Sequence, residues 1–198
     1  MAHVTCWFVC HHDLSTMDKN VLRKIIRDRK HGYTPQQLQQ LSDDITNALL
    51  AHPRIQAAHT ILLYASMADE VKTGRLIKLL LEQGKTILLP VVVDDHHMKI
   101  CHYSHDSEMT TSSYGIQEPQ EEAFTRYDEI DVVIVPGLAF DLQNHRLGRG
   151  KGYYDHFLSE TPNIYKIGIC FPFQIVDLVP TDDHDIPMDE VVYEDRKH

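Results

Sequence analysis

The stretch TILLYASMADEVKTGRLIKLLLEQGKTILLPVVV, residues 60–93, places two short apolar runs on either side of a segment whose leucines recur at helical spacing. Short apolar runs next to turn residues are typical of buried strands. Thr73 is positioned to cap the start of the intervening helix, and Gly84 lies where a helix commonly stops. The stretch therefore predicts a strand, a helix and a second strand in succession.

Further apolar runs follow toward the C-terminus. They are MKICHYS (98–104), DVVIVPG (131–137), KIGIC (166–170) and the short EVVYE (190–194). Continuous apolar runs are typical of parallel strands that are buried on both faces. We predict an α/β fold, a three-layer α/β/α sandwich with a mostly parallel central sheet and a ligand site at the carboxyl ends of its strands. The polar residues 104–128 are expected to form an excursion over the surface.

Two helices are predicted before this region. In residues 18–30, DKNVLRKIIRDRK, the apolar residues fall at helical spacing, and Lys19, Arg23 and Arg27 recur four residues apart. Like charges stacked in this way repel each other unless an anion lies among them, so this face is either a solvated surface or an anion site. The second helix begins at Thr34, a good N-cap residue that is followed by proline.

The composition restricts the class of protein. The chain has 198 residues, with 19 basic and 29 acidic side chains and a formal charge of -10. Such a charge disfavours general binding to nucleic acid or membrane surfaces, so an anionic ligand requires a local basic cluster. No apolar run approaches the roughly 20 residues that a membrane span needs. With only four cysteines, we expect no disulfide framework and predict a cytoplasmic protein. We also expect the protein to be a monomer.

The first residues are set apart from the rest. They lack the basic start of a secretory signal, so we interpret residues 1–16 as an N-terminal tail, disordered or not native to the protein, and 17–198 as a single domain. The tail holds four potential zinc ligands, Cys6, Cys10, His11 and His12. Their spacing matches no common zinc finger, and a plain extension explains them equally well.

One loop carries the strongest chemical signal. In residues 146–152, RLGRGKG, glycines alternate with Arg149 and Lys151, so the backbone can approach a ligand while cations project between the glycines. A helix begins directly afterwards and adds the partial positive charge of its first amides. A Walker A loop would need glycine at His145, and a dinucleotide fingerprint would need glycine at Tyr153. The loop is predicted to cradle phosphate, the alternative being a glycine-rich turn with unrelated charges.

Three segments together resemble the 5-formyltetrahydrofolate cyclo-ligase family, also called 5,10-methenyltetrahydrofolate synthetases. They are PGLAFD (136–141), RLGRGKGYYD (146–155) and HDIPMDEVVYED (184–195), and the resemblance extends from Met17 onward. It implies an enzyme that uses ATP and Mg²⁺ to convert 5-formyltetrahydrofolate to 5,10-methenyltetrahydrofolate, releasing ADP and phosphate. In this family the γ-phosphoryl group is thought to move to the formyl oxygen before N10 closes the ring. A non-catalytic module that binds reduced folate or nucleotide, and a small-molecule kinase, are the alternatives.

The resemblance also implies roles for individual residues. Those expected to bind ATP are Lys19, Arg23, Arg146, Leu147, Gly148, Arg149, Gly150, Lys151, Gly152, Tyr153 and Tyr154. Those expected to bind the folate are Ala65, Met67, Glu70, Arg149, Gly150, Lys151, Gly152 and Tyr153. The catalytic roles fall to Arg149, Lys151 and Tyr153, because phosphoryl transfer mainly requires positioning and neutralisation of charge.

The resemblance also implies two metal ligands, and the chain differs from the family pattern at one position of the loop. Asp155 and Asp185 are expected to hold Mg²⁺, although Asp155 also suits a helix N-terminus and Asp185 also suits a solvated surface. Glu70 suits either the pterin N–H groups or the start of the next helix. Where family loops commonly have glycine, this chain has Asn144, a residue that tolerates the left-handed conformation.

Overall fold

The computed structural model describes residues 18–95, 97–112 and 115–194. Its helices are α1 (Lys19–Lys30), α2 (Pro35–Ala51), α3 (Pro53–Ala57), α4 (Gly74–Glu82) and α5 (Tyr153–Glu160). Its strands are β1 (Thr60–Leu62), β2 (Thr86–Val92), β3 (Met98–Tyr103), β4 (Met109–Thr111), β5 (Gln117–Pro119), β6 (Val132–Pro136), β7 (Ala139–Asp141), β8 (Arg146–Leu147), β9 (Tyr165–Ile169), β10 (Ile175–Val176) and β11 (Glu190–Val192). The tail and its possible zinc ligands lie outside the described residues.

The central sheet has six strands in the order β11-β9-β6-β1-β2-β3, and every neighbouring pair is parallel except β2 and β3. Successive side chains of a strand point to opposite faces, so Ile61 packs with α2, α3 and α4, whereas Leu62 packs with α5. The predicted sandwich with a mostly parallel sheet is therefore confirmed, with three helices on one face and α5 on the other.

A smaller sheet places α1 beside the glycine loop. Strands β10, β7 and β8 form this sheet, and Leu22 and Ile26 of α1 are buried against Leu147 and its neighbours. Burial of each side chain of this size contributes about 1.5–3 kcal/mol. Because Leu147 lies at the start of the glycine loop, this packing places α1 beside that loop.

The ends of α2 and α4 can be compared with the capping residues that the sequence predicts. Thr34 caps α2 as expected, since its hydroxyl accepts from the N–H of Gln37 at 3.2 Å and Gln37 accepts from the N–H of Thr34 at 2.8 Å. Gly84 follows α4 with φ +77°, a conformation that favours glycine. The expectation that the Thr73 hydroxyl caps α4 is wrong, because it is buried and donates to the Tyr64 carbonyl at 2.5 Å. Among the described helices, none has the length and apolar character of a membrane span.

Candidate active site

A cavity of about 450 Å³ opens where β1, β2 and β6 end, at the carboxyl edge of the sheet. The first turn of α1 and the loop between β8 and α5 complete its walls. The residues expected to bind ATP, folate and magnesium all line it, namely Lys19, Arg23, Ala65, Met67, Glu70, Arg146, Leu147, Gly148, Arg149, Gly150, Lys151, Gly152, Tyr153, Tyr154, Asp155 and Asp185. The fold therefore brings together residues that lie more than a hundred positions apart in the chain.

The glycine loop has the conformation that its composition predicts. Gly150 and Gly152 have φ of +110° and +74°, and Gly152 is the N-cap of α5. At Gly148, a Cβ atom would lie 2.8 Å from Nη1 of Arg146. Asn144 also adopts a left-handed conformation, with φ +65°, so this departure from the family pattern is accommodated.

Arg146 forms the buried base of the loop. Its side chain is 5% exposed, and Nη2 donates to Oδ2 of Asp155 at 2.7 Å while Nη1 donates to the Pro136 carbonyl at 3.4 Å. The other oxygen of Asp155 accepts from the N–H of Ile186 at 3.2 Å. Tyr154 packs against the core on the side of α5, with its ring 5.8 Å from the Arg146 guanidinium carbon. Arg146 therefore ties the end of β6, the loop and the start of α5 together.

Arg149 connects the loop to the segment after β1. Its Nε donates to Glu70 at 3.1 Å and its Nη2 donates to Asp69 at 2.5 Å. Burial works to lower the pKa of Arg149, but the two carboxylates outweigh it and the pKa is raised. The second oxygen of Glu70 accepts from the N–H of Met67 at 2.8 Å. The alternative reading of Glu70 as a cap for the next helix is therefore wrong, because its carboxylate bonds elsewhere.

The two lysines of the site also pair with carboxylates. Lys19 contacts Asp185 closely and Asp182 at 2.7 Å. Although burial opposes its charge, these partners raise the pKa of Lys19. Asp185 is only 20% exposed, so it is a wall of the cavity rather than a solvated surface residue. On the opposite side, Nζ of Lys151 donates to Asp95 at 2.6 Å.

The structure adds a wall that sequence reasoning largely missed. Glu118 in β5 lines the cavity and is 6% exposed, and it accepts from the N–H of Val92 at 3.4 Å. The apolar side chains of Met98 and Ile116 lie on the same wall. Residues 104–128 run largely over the surface, as expected, but the hairpin of β4 and β5 brings Glu118 and Ile116 back to the site. In the sequence, Gly115, Glu118 and Pro119 resemble a family loop near the substrate, and this resemblance is the signal that could identify the wall.

The chain is similar to known proteins over most of its length. Residues 15–194 match the family model described as the 5-formyltetrahydrofolate cyclo-ligase family. The Mus musculus 5-formyltetrahydrofolate cyclo-ligase is 32% identical over 191 residues, covering 89% of this chain and 94% of the relative. For the Escherichia coli K12 protein of the same name, identity is 31% over 175 residues, with coverage of 85% and 96%.

A solved structure extends the likeness to the fold. The Aquifex aeolicus 5,10-methenyltetrahydrofolate synthetase superposes with a TM-score of 0.78 at 30% identity, covering 88% of this chain and 89% of that one. The sequence match and the structural match both span nearly the whole described chain. On these grounds, the chain belongs to the 5-formyltetrahydrofolate cyclo-ligase family.

Proposed function

We propose that this chain converts 5-formyltetrahydrofolate and ATP to 5,10-methenyltetrahydrofolate, ADP and phosphate. The observation that carries the proposal is the convergence in one cavity of four cations, Lys19, Arg23, Arg149 and Lys151, together with the carboxylate of Glu70, which pairs with Arg149. Carboxylates from other segments pair with most of these cations in the ligand-free protein, and a bound polyanion can take the place of those partners. The triphosphate of ATP is an anion of matching charge.

The chemistry requires activation of the formyl oxygen, which is a poor leaving group. Transfer of the γ-phosphoryl group breaks its bond to ADP and forms a new bond to the formyl oxygen. The N10 nitrogen then attacks the formyl carbon, the carbon–oxygen bond breaks, phosphate departs and N10 loses its proton. Arg149 and Lys151 stabilise the charge on the moving phosphoryl group, each charge-assisted hydrogen bond contributing about 1.5–3 kcal/mol.

The remaining residues of the cavity orient the two substrates. Lys19 and Arg23 hold the phosphates from the side of α1, and the first amides of α5 point toward the same anion. Glu70 accepts hydrogen bonds from the amino and ring N–H groups of the pterin. Met67 and Met98 cover the pterin and exclude water from the reacting atoms. Tyr153, whose hydroxyl donates to the Asp94 carbonyl at 3.0 Å, holds its ring beside the loop.

The residues of this cavity fit a magnesium ion that enters with ATP. Mg²⁺ takes one or two protein carboxylates and completes its shell with phosphate oxygens and water, so a dense ligand cluster is not needed, and none occurs among the described residues. Asp155 and Asp185 both line the cavity, and Asp155 accepts a hydrogen bond from the N–H of Ile186, the residue after Asp185. These two carboxylates would hold the ion, which would neutralise charge on the phosphates.

Product formation tests the proposal. The full chain is incubated with 5-formyltetrahydrofolate, ATP and Mg²⁺, and the methenyl chromophore and ADP are followed together. We expect equal amounts of both products, and no chromophore without ATP. Tight binding of the folate without turnover would favour a binding module, and a stable phosphorylated product without ring closure would favour a kinase. As a control, Lys24→Ala removes an exposed cation of α1 outside the cavity, and it should form product at the rate of the unchanged chain.

A further inference from the structure

Glu118 differs from the other acidic residues of the cavity in its partners. It lines the cavity from β5 and is 6% exposed. Among the described residues it forms no ion pair, and its Oε1 accepts from the N–H of Val92 at 3.4 Å. The other acidic residues of the lining each contact a cation, Glu70 with Arg149, Asp155 with Arg146, and both Asp182 and Asp185 with Lys19.

The absence of a cation affects what the carboxylate of Glu118 can do. A carboxylate whose oxygens are held by cations must give up those contacts before it can take up a proton. Glu118 has no such contact to give up within the described part of the chain. Its neighbours in the lining, Val92, Met98 and Ile116, are apolar, so the wall also limits access of water to this carboxylate.

The contact with Val92 places Glu118 on the side of the cavity where the glycine loop lies. Two residues after Val92, the carbonyl of Asp94 accepts from the hydroxyl of Tyr153 at 3.0 Å, and the next residue of this turn accepts from Nζ of Lys151 at 2.6 Å. Two residues of extended chain span at most about 7 Å. Glu118 is therefore on the same side as two residues that are proposed to act at the formyl group.

Ring closure in the proposed reaction releases one proton. When N10 attacks the formyl carbon, N10 gains a positive charge and still carries its hydrogen. The N10–H bond must then break, with its electrons remaining on N10, before the methenyl product can form. A general base within hydrogen-bond reach speeds such a step by about 10²–10⁴-fold.

The other side chains of the cavity are poorly suited to accept this proton. No histidine is among the described residues that line it, and its lysines and arginines are already cations. Burial raises the pKa of the hydroxyls of Tyr64 and Tyr154, so both stay protonated. Because the remaining carboxylates contact cations, Glu118 is the best placed acceptor of this lining.

We propose that Glu118 is the general base of ring closure, an inference that rests on the proposed function. Its carboxylate takes the proton of N10, and the electron pair of the N–H bond stays on N10. The carbon–oxygen bond then breaks, and its electrons leave with the phosphate. Glu118 passes the proton to this phosphate, which departs as hydrogen phosphate and leaves the carboxylate ready for the next turnover.

Glu118→Gln tests the proposal, because the amide keeps an oxygen for the N–H of Val92 but cannot take up the proton. The full chain, in excess over 5-formyltetrahydrofolate, is mixed with ATP and Mg²⁺. The methenyl absorbance is followed by stopped flow, and ADP is measured in samples quenched with a chelator, since acid itself closes the ring. We expect ADP formation to stay within about twofold and methenyl formation to slow about 100-fold or more, so that phosphorylated folate accumulates.

Three variants control this measurement. Glu122→Gln removes an exposed carboxylate outside the cavity and should behave as the unchanged chain. Glu118→Asp keeps a carboxylate on a shorter side chain and should recover part of the rate of ring closure. If thermal melting shows that Glu118→Gln impairs folding, Glu118→Asp is compared with Glu118→Asn, which has the same length and no base.

Three outcomes would overturn the proposal. Equal slowing of ADP and methenyl formation would place Glu118 in binding or phosphoryl transfer, and weaker folate binding with unchanged ring closure would make it a pterin contact. Unchanged rates would mean that the departing phosphate takes the proton directly. If the unchanged chain forms no methenyl product, the proposed function fails and this inference fails with it. If the unchanged chain forms product and Glu118→Gln matches it, only the inference fails.

Discussion

Replacing Glu70 with glutamine tests whether this carboxylate recognises the folate. The change keeps the shape of the side chain but removes its charge and one of its two acceptor oxygens. In the structure these oxygens accept from Arg149 Nε at 3.1 Å and from the N–H of Met67 at 2.8 Å. The amide NH₂ of glutamine must face one of these two donors, and it offers the pterin a weaker acceptor.

The expected magnitude follows from the hydrogen bonds that are lost. A hydrogen bond to a charged group contributes about 1.5–3 kcal/mol, which corresponds to a roughly 10- to 150-fold lower kcat/KM for the folate. The effect on ATP should be smaller, because the carboxylate contacts the phosphate loop only through Arg149. Initial rates of methenyl formation, measured while each substrate is varied in turn, give both values.

Asp69→Asn is the control that separates a direct effect from one through Arg149. Asp69 also pairs with Arg149, but it does not line the cavity that holds Glu70. If loss of a partner for Arg149 were the cause, Asp69→Asn would lower kcat/KM for ATP and folate as Glu70→Gln does. An equal loss for both substrates in Glu70→Gln, reproduced by Asp69→Asn, would refute the pterin contact.

Three other substitutions probe the loop and the core. Lys151→Ala should abolish product formation and change the free energy of unfolding by no more than about 1 kcal/mol, because the side chain is 51% exposed; near-normal turnover would exclude its catalytic role. Arg146→Met should lower the free energy of unfolding in urea by about 3–5 kcal/mol by leaving Asp155 unpaired, and adding Asp155→Asn should recover part of the loss. Gly168→Ala should lower it by about 1–3 kcal/mol, since the added Cβ would lie 2.5 Å from buried Phe140; unchanged stability would contradict that packing.

Features that depend on neighbouring residues in the chain could be predicted from the sequence. Thr34 and the following proline fix the start of α2, and Gly84 and Asn144 adopt the left-handed conformations expected of them. The alternation of apolar runs was sufficient to predict the parallel sheet. The glycine loop was also identifiable, because its glycines and cations lie within seven consecutive residues.

Features that depend on distant contacts could not be predicted in the same way. The Thr73 hydroxyl is in the right position to cap α4, but the carbonyl of Tyr64, placed by β1, accepts its hydrogen bond instead. Glu118 lies in a polar passage whose composition resembles an exposed loop, and only pairing with β4 turns it toward the cavity. The ion pairs of Arg149 join residues about 80 positions apart, so no local pattern reveals them.

These ion pairs explain how an acidic chain can assemble the basic cavity that is proposed to bind phosphate. Four of the cations that line the cavity each pair with a carboxylate, and the carboxylates come from separate segments, Asp69–Glu70, Asp95, Asp155 and Asp182–Asp185. Without these partners the cations would repel one another in the ligand-free protein. On the proposed function, incoming phosphates would displace some of the carboxylates, so part of the binding energy of ATP would go into breaking these pairs. Because Glu70 is among them, withdrawal of Arg149 toward the phosphate would free its carboxylate for the pterin and would thereby couple nucleotide binding to recognition of the folate.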